Sequence, residues 1–221
     1  MTVKAIIFDF DGVITDTEPV HMDAWLEVLE PMGITFDEDE FRDNYMGLND
    51  RDFLDEVGRI HGQHFEPNEK IDLIERKTAV SIEILEQEIP LIPRVKEFVE
   101  SESQKVMLSI CSGAIRGEIE FILKRLGWEK YFSPIIASDS VEKGKPDPEG
   151  YIRAYEGLVE RAETALLIDE VIAIEDSPKG ITAAKAAGLK CIGVKHASGK
   201  SDISHADIVV NSVSEIDLQK L

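Results

Sequence analysis

Two aspartates, Asp9 and Asp11, stand one residue apart where an apolar run of the sequence stops, and Gly12 follows them directly. The β-branched and aromatic residues at 3–8 predict a buried strand, and the glycine supplies the turn that ends it. Two carboxylates this close repel each other unless a cation or a shared proton offsets their charge. The pair therefore indicates either a metal-dependent acid–base site or a solvated Asp-Gly turn, and residues further along the chain must decide between them.

Three further groups of polar residues follow predicted strands or lie just beside one. Ser112 offers a hydroxyl before a flexible turn, Lys145 is followed by a stiffening proline, and Glu175 and Asp176 end an apolar run. Taken singly, each has an ordinary structural explanation: a capping hydroxyl, a surface lysine, or acids that cap the next helix. Their joint occurrence in this order favours a functional site.

These residue types suit phosphoryl transfer. One carboxylate can attack phosphorus, and a second can carry the proton of the leaving group. A hydroxyl and an ammonium can hold the equatorial oxygens as charge spreads over them. Further carboxylates can bind Mg²⁺, because this hard cation prefers oxygen ligands.

The segments after residue 90 alternate between strand and helix patterns. The predicted strands are Lys105–Cys111, Ile135–Ser138, Val171–Ile174, Lys190–Val194 and Asp207–Val210. The predicted helices between them are Arg116–Leu126, Pro148–Leu158 and Pro178–Ala187. Alternation at this spacing predicts an α/β fold with a parallel sheet, in which ligands bind beyond the carboxyl ends of the strands.

Residues 16–88 have a different pattern, with helical segments and few strand signals. The predicted helices are Pro19–Glu30, Asp37–Tyr45, Asp50–Ile60 and Pro67–Glu86. A helical block placed directly after the first strand indicates a cap inserted over that strand's carboxyl end. We therefore predict a catalytic core formed by residues 1–15 and 89–221, and a helical cap formed by residues 16–88.

The charge balance limits the partners that this chain can have. The 221 residues carry 44 acidic and 24 basic side chains, which gives a net charge of −20. Such a surface repels nucleic acid and anionic membranes, so we expect neither as a partner. It also repels an anionic substrate, so a phosphate site must carry its own cations or a metal.

The cellular location is predicted from the cysteines and from the hydropathy pattern. The two cysteines, Cys111 and Cys191, lie in apolar strand-like runs, where buried free thiols are expected, and they fit a reducing compartment. No apolar run approaches the ~18 residues of a membrane span, and the first residues do not have the pattern of a signal peptide. These features predict a cytoplasmic protein.

The order of the motifs resembles the haloacid dehalogenase-like hydrolase superfamily, and within it the β-phosphoglucomutase-like and phosphoglycolate phosphatase-like enzymes. The motifs that carry the resemblance are DFDGVITD at 9–16, SG at 112–113, KPDP at 145–148 and EDSPKG at 175–180. The resemblance extends from Ile6 to about Val194. It implies a Rossmann-like core with a small helical cap, and Mg²⁺-dependent chemistry through an aspartyl-phosphate.

The same resemblance implies roles for five residues of the first three motifs. Asp9 would be the nucleophile and a metal ligand, and Asp11 would be the general acid–base and offer its backbone carbonyl to Mg²⁺. Ser112, Gly113 and Lys145 would hold the phosphoryl group that is transferred. Lys145 would also offset the charge of the crowded carboxylates.

The fourth motif implies the remaining metal ligands. Asp176 would bind Mg²⁺, and Glu175 beside it would act through water. A second acidic pair, Asp169 and Glu170, also ends an apolar run and competes for this assignment. The later pair is preferred because the Ser-Pro-Lys-Gly segment and a helix of small residues follow it.

The predicted cap should decide the substrate. His21 resembles the active-site histidine of the mutases, although a histidine satisfied on an amphipathic helix is an equal alternative. The loop at 46–51 resembles the one in which mutases place basic residues for a second phosphate, but Met46 stands where a lysine is expected and Arg51 is one residue out of register. No lysine follows Ser112, and Arg116 is the nearest base.

A bisphosphate intermediate needs two cationic anchors, and this sequence offers one clear candidate. We therefore predict a phosphatase that acts on a small phosphorylated metabolite, either a sugar phosphate or a phosphoglycolate-type compound. The alternatives are a β-phosphoglucomutase-like mutase and a non-catalytic phosphate-binding protein on the same fold. We expect a monomer or a weak homodimer.

Overall fold

The computed structural model describes residues 2–46, 48–195 and 202–221. The chain divides into two units, a core unit of Met1–Asp16 and Leu91–Leu221 and a helical unit of Thr17–Pro90. In sequence, the helical unit therefore separates the first strand of the core from all the others. Within the described residues, no helix is both long and apolar enough to cross a membrane.

A six-stranded parallel sheet forms the centre of the core unit. Its strands are β1 (Ala5–Phe8), β2 (Met107–Cys111), β3 (Phe132–Ile136), β4 (Val171–Glu175), β5 (Lys190–Val194) and β6 (Ile208–Val210). They lie in the order β3-β2-β1-β4-β5-β6. Strand β1 therefore pairs with β2 on one side and with β4 on the other, and the chain continues outward from it in both directions. The carboxyl end of β1 is therefore the point where the strand order reverses, which is where ligands bind in such sheets.

Helices cover the sheet of the core unit. They are α5 (Val95–Glu102), α6 (Arg116–Leu126), α7 (Glu149–Arg161) and α8 (Pro178–Ala186). Every residue of β1 is fully buried, as expected for a central strand that is covered on both faces. On one face the Phe8 ring packs edge-on against Phe98 and Phe132, while on the other Ile7 joins a cluster that includes Tyr151 of α7.

The helical unit is built around aromatic side chains. Its helices are α1 (Glu18–Leu29), α2 (Glu38–Glu40), which continues into a π-helical turn at Phe41–Tyr45, α3 (Asp50–His61) and α4 (Pro67–Gln87). Trp25 stacks on Phe53 with 4.5 Å between ring centroids, and Phe36, Phe41 and Tyr45 pack around this pair. These buried rings give the unit a hydrophobic cluster of its own.

The parallel α/β sheet and the helical insertion confirm the predicted fold class. Several predicted element ends are shifted by one to three residues, and three differences have a clear physical reason. The short helix α5 was not predicted, because its eight residues offer only Val95, Phe98 and Val99 as an apolar face. Strand β3 begins at Phe132 instead of Ile135 and contains Pro134, which is tolerated because β3 is an edge strand. The second half of the helix predicted at 37–45 is the π-helical turn.

Candidate active site

The register of the sheet brings the first and fourth motifs together. Phe8 of β1 lies opposite Ile110 of β2 and Ile174 of β4. The backbone N–H of Asp9 donates to the Ile174 carbonyl oxygen at 2.9 Å, which continues the ladder by one residue. Asp9 and Glu175 are therefore neighbours at the carboxyl edge of the sheet.

The Lys145 ammonium lies between these two carboxylates. Its Nζ is 2.8 Å from Oδ1 of Asp9 and 2.6 Å from Oε1 of Glu175. The loop that carries it is braced by Glu149 of α7, whose carboxylate accepts the backbone N–H groups of Glu142 and Lys143. These backbone hydrogen bonds lower the pKa of Glu149, so the brace is a carboxylate at neutral pH.

Two glycines make room for the acids of the fourth motif. A Cβ atom on Gly12 would lie 2.0 Å from Oδ2 of Asp176, and one on Gly180 would lie 1.8 Å from Oε1 of Glu175. Gly12 also has a φ of +79°, a conformation that other residues adopt at a cost. The backbone thus approaches both carboxylates more closely than any other residue type would allow.

Asp9, Glu175 and Asp176 form a compact acidic cluster. Each offers a carboxylate oxygen, and these oxygens lie within 4.8 Å of one another. Burial and the charge of Glu175 raise the pKa of Asp9 to about 8, and burial and the charge of Asp9 raise the pKa of Asp176 to about 9. Burial alone would lower the pKa of Lys145, but the charges of Asp9 and Glu175 outweigh it and raise that pKa well above its usual value.

The cluster has the composition of a divalent-cation site. Three carboxyl groups lie around one ammonium, and the raised pKa values of Asp9 and Asp176 reflect negative charges that this one ammonium does not balance; an added cation would favour the ionised forms. The donor atoms are carboxylate oxygens, which are the ligands that hard divalent cations prefer. The cluster of Asp9, Glu175 and Asp176 is therefore suited to hold such a cation.

Asp11 and Ser112 lie near the same edge of the sheet. Asp11 is half-buried in the turn after β1, where the Gly12 N–H donates to the Thr15 carbonyl oxygen at 2.7 Å. Ser112 is buried after β2, and its Oγ accepts the Ala114 N–H at 3.0 Å, which leaves the hydroxyl hydrogen available to donate. Gly113, next to it, is exposed.

The profile of the family described as haloacid dehalogenase-like hydrolase matches residues 6–194. This protein belongs to that family. Its sequence is 34% identical over 218 residues to a phosphorylated carbohydrates phosphatase of Thermotoga maritima, covering 97% of this chain and 96% of the relative. It is 33% identical over 227 residues to a β-phosphoglucomutase of Bacillus subtilis, covering 99% and 94%. The predicted superfamily and subgroup are thus confirmed.

A solved structure of similar fold supports the same assignment. The crystal structure of CbbY from Rhodobacter sphaeroides in complex with phosphate matches with a TM-score of 0.84 and 25% sequence identity, covering 96% of each chain. A match over 96% of the chain includes both the core unit and the helical unit. The haloacid dehalogenase-like fold is therefore present as a whole in this chain.

Among the acids of this family member, Asp169 does not join the cluster. It is exposed in the short helical turn Ile168–Glu170, directly before β4. Glu175 is the last residue of β4, so Asp169 and the cluster lie at opposite ends of the strand. The later acidic pair is therefore the one that faces Asp9.

Arg116 is held by the core unit itself. Its Nη2 donates to the Ile135 carbonyl oxygen at 2.6 Å and to Oγ of Ser140 at 3.2 Å, and its Nη1 lies 3.4 Å from Glu120. These bonds tie the first turn of α6 to the end of β3. Its assignment to substrate binding stays a prediction, and it would have to give up these partners to fulfil it.

The residues predicted to select the substrate lie in the helical unit. His21 is half-buried on α1, Arg51 is exposed in the first turn of α3, and Met46 is exposed in the preceding turn. Gly47, in the same loop motif, lies outside the described residues. Burial and the charge of Lys77 lower the pKa of His21, so its imidazole is neutral at pH 7.

Two buried polar residues, Lys77 and Tyr151, were not among the residues predicted from the sequence. Lys77 is buried on α4 with its Nζ 3.2 Å from Asp50, in a buried row with Leu73, Ser81 and Leu85 at every fourth position. The signal for Lys77 was a charged side chain that stands, at four-residue spacing, in the same row as Leu73 and Leu85.

Tyr151 is fully buried in the first turn of α7, and its hydroxyl donates to Oε1 of Glu175 at 2.8 Å. Its only signal was its position six residues after Lys145, which by itself does not separate it from a core aromatic residue.

Replacing Gly12 by alanine tests whether the close approach to Asp176 matters. Gly188 is the matched control, because its φ is +84° and a Cβ there would meet no atom closer than 4.0 Å. Gly188→Ala should cost roughly 1–2 kcal/mol of stability from the left-handed backbone alone. Gly12→Ala should cost more and should also weaken divalent-cation binding, because Asp176 must move. Thermal melts and Mn²⁺ titrations measure both effects, and equal behaviour of the two variants would contradict this role of Gly12.

Proposed function

We propose that this protein is a Mg²⁺-dependent phosphatase that hydrolyses monoesters of small phosphorylated metabolites, of the sugar phosphate or phosphoglycolate type. The observation that carries the proposal is the ion pair between the Lys145 ammonium and the Asp9 carboxylate, with the Asp176 carboxylate in the same cluster. It combines a nucleophile, a cation for the phosphoryl oxygens and metal-binding oxygens in one place. The kinship to a phosphorylated carbohydrates phosphatase supports the same reaction class.

Asp9 and Asp11 divide the chemistry in this proposal. Asp9 attacks phosphorus and forms an aspartyl-phosphate, while the bond from phosphorus to the leaving oxygen breaks and Asp11 gives that oxygen a proton. Asp11 then accepts a proton from water as the water attacks the aspartyl-phosphate. Orthophosphate leaves, and the Asp9 carboxylate is restored.

Ser112, Gly113 and Lys145 hold the phosphoryl group during both steps. The Ser112 hydroxyl and the backbone beside exposed Gly113 donate to equatorial oxygens, and the ammonium offsets their charge. When bound by Asp9 and Asp176, Mg²⁺ supplies further positive charge at the phosphoryl oxygens. The protein groups thereby replace the hydration of an anion that the net charge of −20 otherwise repels.

The helical unit, Thr17–Pro90, acts as the substrate-selecting cap in this proposal. His21 and Arg51 are its candidates for contacts to the organic part of the substrate. A neutral His21 suits a hydrogen bond to a sugar hydroxyl, and an exposed arginine suits a carboxylate or a second anionic group. The substrate class would follow from these residues, since the core chemistry is the same for any monoester.

A phosphosugar mutase is the second candidate, and the 33% identity to a β-phosphoglucomutase favours it. A mutase must hold two phosphoryl groups, so it needs a second cationic anchor. Met46 occupies the position where that lysine is expected, and Arg116 is engaged with Ile135 and Ser140. We therefore rank hydrolysis first.

Asp9→Asn should abolish the release of orthophosphate from a chromogenic monoester in the presence of Mg²⁺, because an amide cannot form the aspartyl-phosphate. Its melting temperature should stay the same or rise, because the change removes one of three crowded carboxylates. Turnover that survives in a folded Asp9→Asn protein would rule out Asp9 as the nucleophile.

Asp176→Asn should raise the Mg²⁺ concentration needed for half-maximal activity roughly tenfold or more. Asp169→Asn makes the same chemical change at the exposed turn before β4 and should leave the Mg²⁺ requirement unchanged. Metal titrations of both variants measure this, and the reverse result would mean that the other acidic pair binds the cation.

The two candidate functions differ in the product that they form from β-glucose 1-phosphate. Incubated with β-glucose 1-phosphate and Mg²⁺, the protein should release orthophosphate without accumulating glucose 6-phosphate. A molybdate assay detects the first product and a coupled dehydrogenase assay detects the second. Faster formation of glucose 6-phosphate than of orthophosphate would establish the mutase instead. A panel of other sugar phosphates and phosphoglycolate, tested in the same way, would identify the preferred substrate.

A further inference from the structure

The carboxylate of Glu175 is fully buried, and protein donors occupy both of its oxygens. Oε1 accepts from Lys145 Nζ at 2.6 Å and from the Tyr151 hydroxyl at 2.8 Å. Oε2 accepts from the backbone N–H of Asp176 and of Ser177, both at 3.2 Å, and from the Ser177 hydroxyl at 3.0 Å. Glu175 is therefore the most heavily hydrogen-bonded acid of the cluster.

An ionised carboxylate has about four lone-pair sites, and here five donors are directed at them. A metal ligand, or an acid that binds a metal-bound water, must keep at least one of these sites free. Glu175 would have to give up bonds in the interior of the protein to do either, and a buried donor left without its partner is costly.

The two adjacent acids are placed differently. Glu175 lies against the backbone of Gly180 in the first turn of α8, whereas Asp176 lies against Gly12, directly after β1. Asp176 thus shares the side of the cluster where Asp9 and Asp11 follow their strand. This placement suits Asp176 for the cation and Glu175 for a different task.

We propose that Tyr151 and Glu175 form a positioning pair that sets the place of the Lys145 ammonium, and that Glu175 acts through this lysine and not on the divalent cation. This inference rests on the proposed phosphatase function, because it assigns the residues that hold one of its catalytic groups. It replaces the sequence-based expectation that Glu175 acts on Mg²⁺ through water.

Tyr151 fixes the ammonium in two ways. Its hydroxyl shares Oε1 of Glu175 with Lys145, so it takes up part of the carboxylate charge and limits how strongly Glu175 retains the lysine. Its ring faces the ammonium, with Nζ 5.3 Å from the ring centroid, a cation–π distance.

The contacts that Lys145 makes with the described residues leave its ammonium one donor for a substrate. An ammonium has three N–H groups, and the contacts to Glu175 and Asp9 use two of them. The third is available for an equatorial oxygen of the phosphoryl group. Displacing Nζ toward Glu175 would withdraw this donor from the substrate while leaving the fold and the cation site in place.

Tyr151→Phe tests the pair, and Tyr155→Phe is its matched control. Tyr155 lies one turn later on the same helix and donates to the Leu166 carbonyl oxygen at 3.0 Å, without a contact to Glu175. We expect Tyr151→Phe to lower kcat for p-nitrophenyl phosphate roughly 10- to 100-fold, the range for one hydrogen bond to a charged group. Its Mn²⁺ dissociation constant, from EPR titration without substrate, should stay within about threefold of the wild type, since no metal ligand changes.

The control variant should keep the wild-type kcat within about twofold, because the bond that its hydroxyl makes among the described residues is to the neutral Leu166 carbonyl and not to the Lys145–Glu175 pair. An unchanged kcat in Tyr151→Phe, or an equal fall in both variants, would overturn the positioning role. So would a Mn²⁺ affinity of Tyr151→Phe that falls as far as that of Asp176→Asn.

Glu175→Gln and Asp176→Asn, compared by the same Mn²⁺ titration, test the division of labour between the two acids. Asp176→Asn should weaken Mn²⁺ binding roughly tenfold or more, and Glu175→Gln should change it less than about threefold while weakening orthophosphate binding in calorimetry. Equal loss of Mn²⁺ affinity in both variants would overturn the inference. If Glu175→Gln does not fold, the Tyr151→Phe titration carries the test alone.

These readouts also separate this inference from the proposed function. If the wild-type protein hydrolyses no phosphate monoester, the phosphatase proposal fails, yet the Mn²⁺ and orthophosphate titrations still report on Glu175 and Tyr151. If the wild type is active and Tyr151→Phe is indistinguishable from Tyr155→Phe, the positioning pair fails and the phosphatase proposal stands.

Discussion

The placement of one ammonium between two buried carboxylates is the constraint on which the rest of the site depends. Lys145 lies within 2.8 Å of Asp9 and 2.6 Å of Glu175, and none of the three could be buried alone as a charge at acceptable cost. The strands β1 and β4 supply the two acids by register, and the loop before α7 supplies the lysine. Sheet pairing and loop geometry are thus coupled through a single charged contact.

The close packing around these charges limits which residue types can stand at neighbouring positions. Gly12 and Gly180 stand where a Cβ would enter the carboxylates of Asp176 and Glu175, so the chain can bring its backbone against both acids. Glu149 holds the loop of the lysine through three backbone hydrogen bonds. The excess of negative charge that remains is balanced by a divalent cation in the proposed function, not by further protein groups.

The sequence was sufficient to predict the parts that depend on local pattern. Alternating strands and helices indicated a parallel sheet, and parallel register alone then brings Asp9 and Glu175 to one edge. Tyr151 and Lys77 could not be predicted, because their roles depend on the side to which a helix turns them in the folded chain. Arg116 could not be placed for the same reason, since its guanidinium donates to the Ile135 carbonyl oxygen of β3. Helix α5 was missed for a different reason: its apolar face is too short to give a clear period.

The two units differ in what they contribute to the proposed function. Every group assigned to bond making and breaking lies in the core unit, on strand ends and loops fixed by the sheet, so this chemistry does not depend on the identity of the organic part of the substrate. The helical unit has its own aromatic core around Trp25 and Phe53, so residues on its surface can change without disturbing the sheet. In the proposed function, exposed positions such as Met46 and Arg51 would separate hydrolysis of a phosphosugar from its isomerisation, while Lys145 and its two carboxylates would serve either reaction. The proposed catalytic residues are held in place by buried charges, whereas the candidate substrate-selecting residues are not. The core motifs therefore indicate the reaction class, but they do not indicate the substrate.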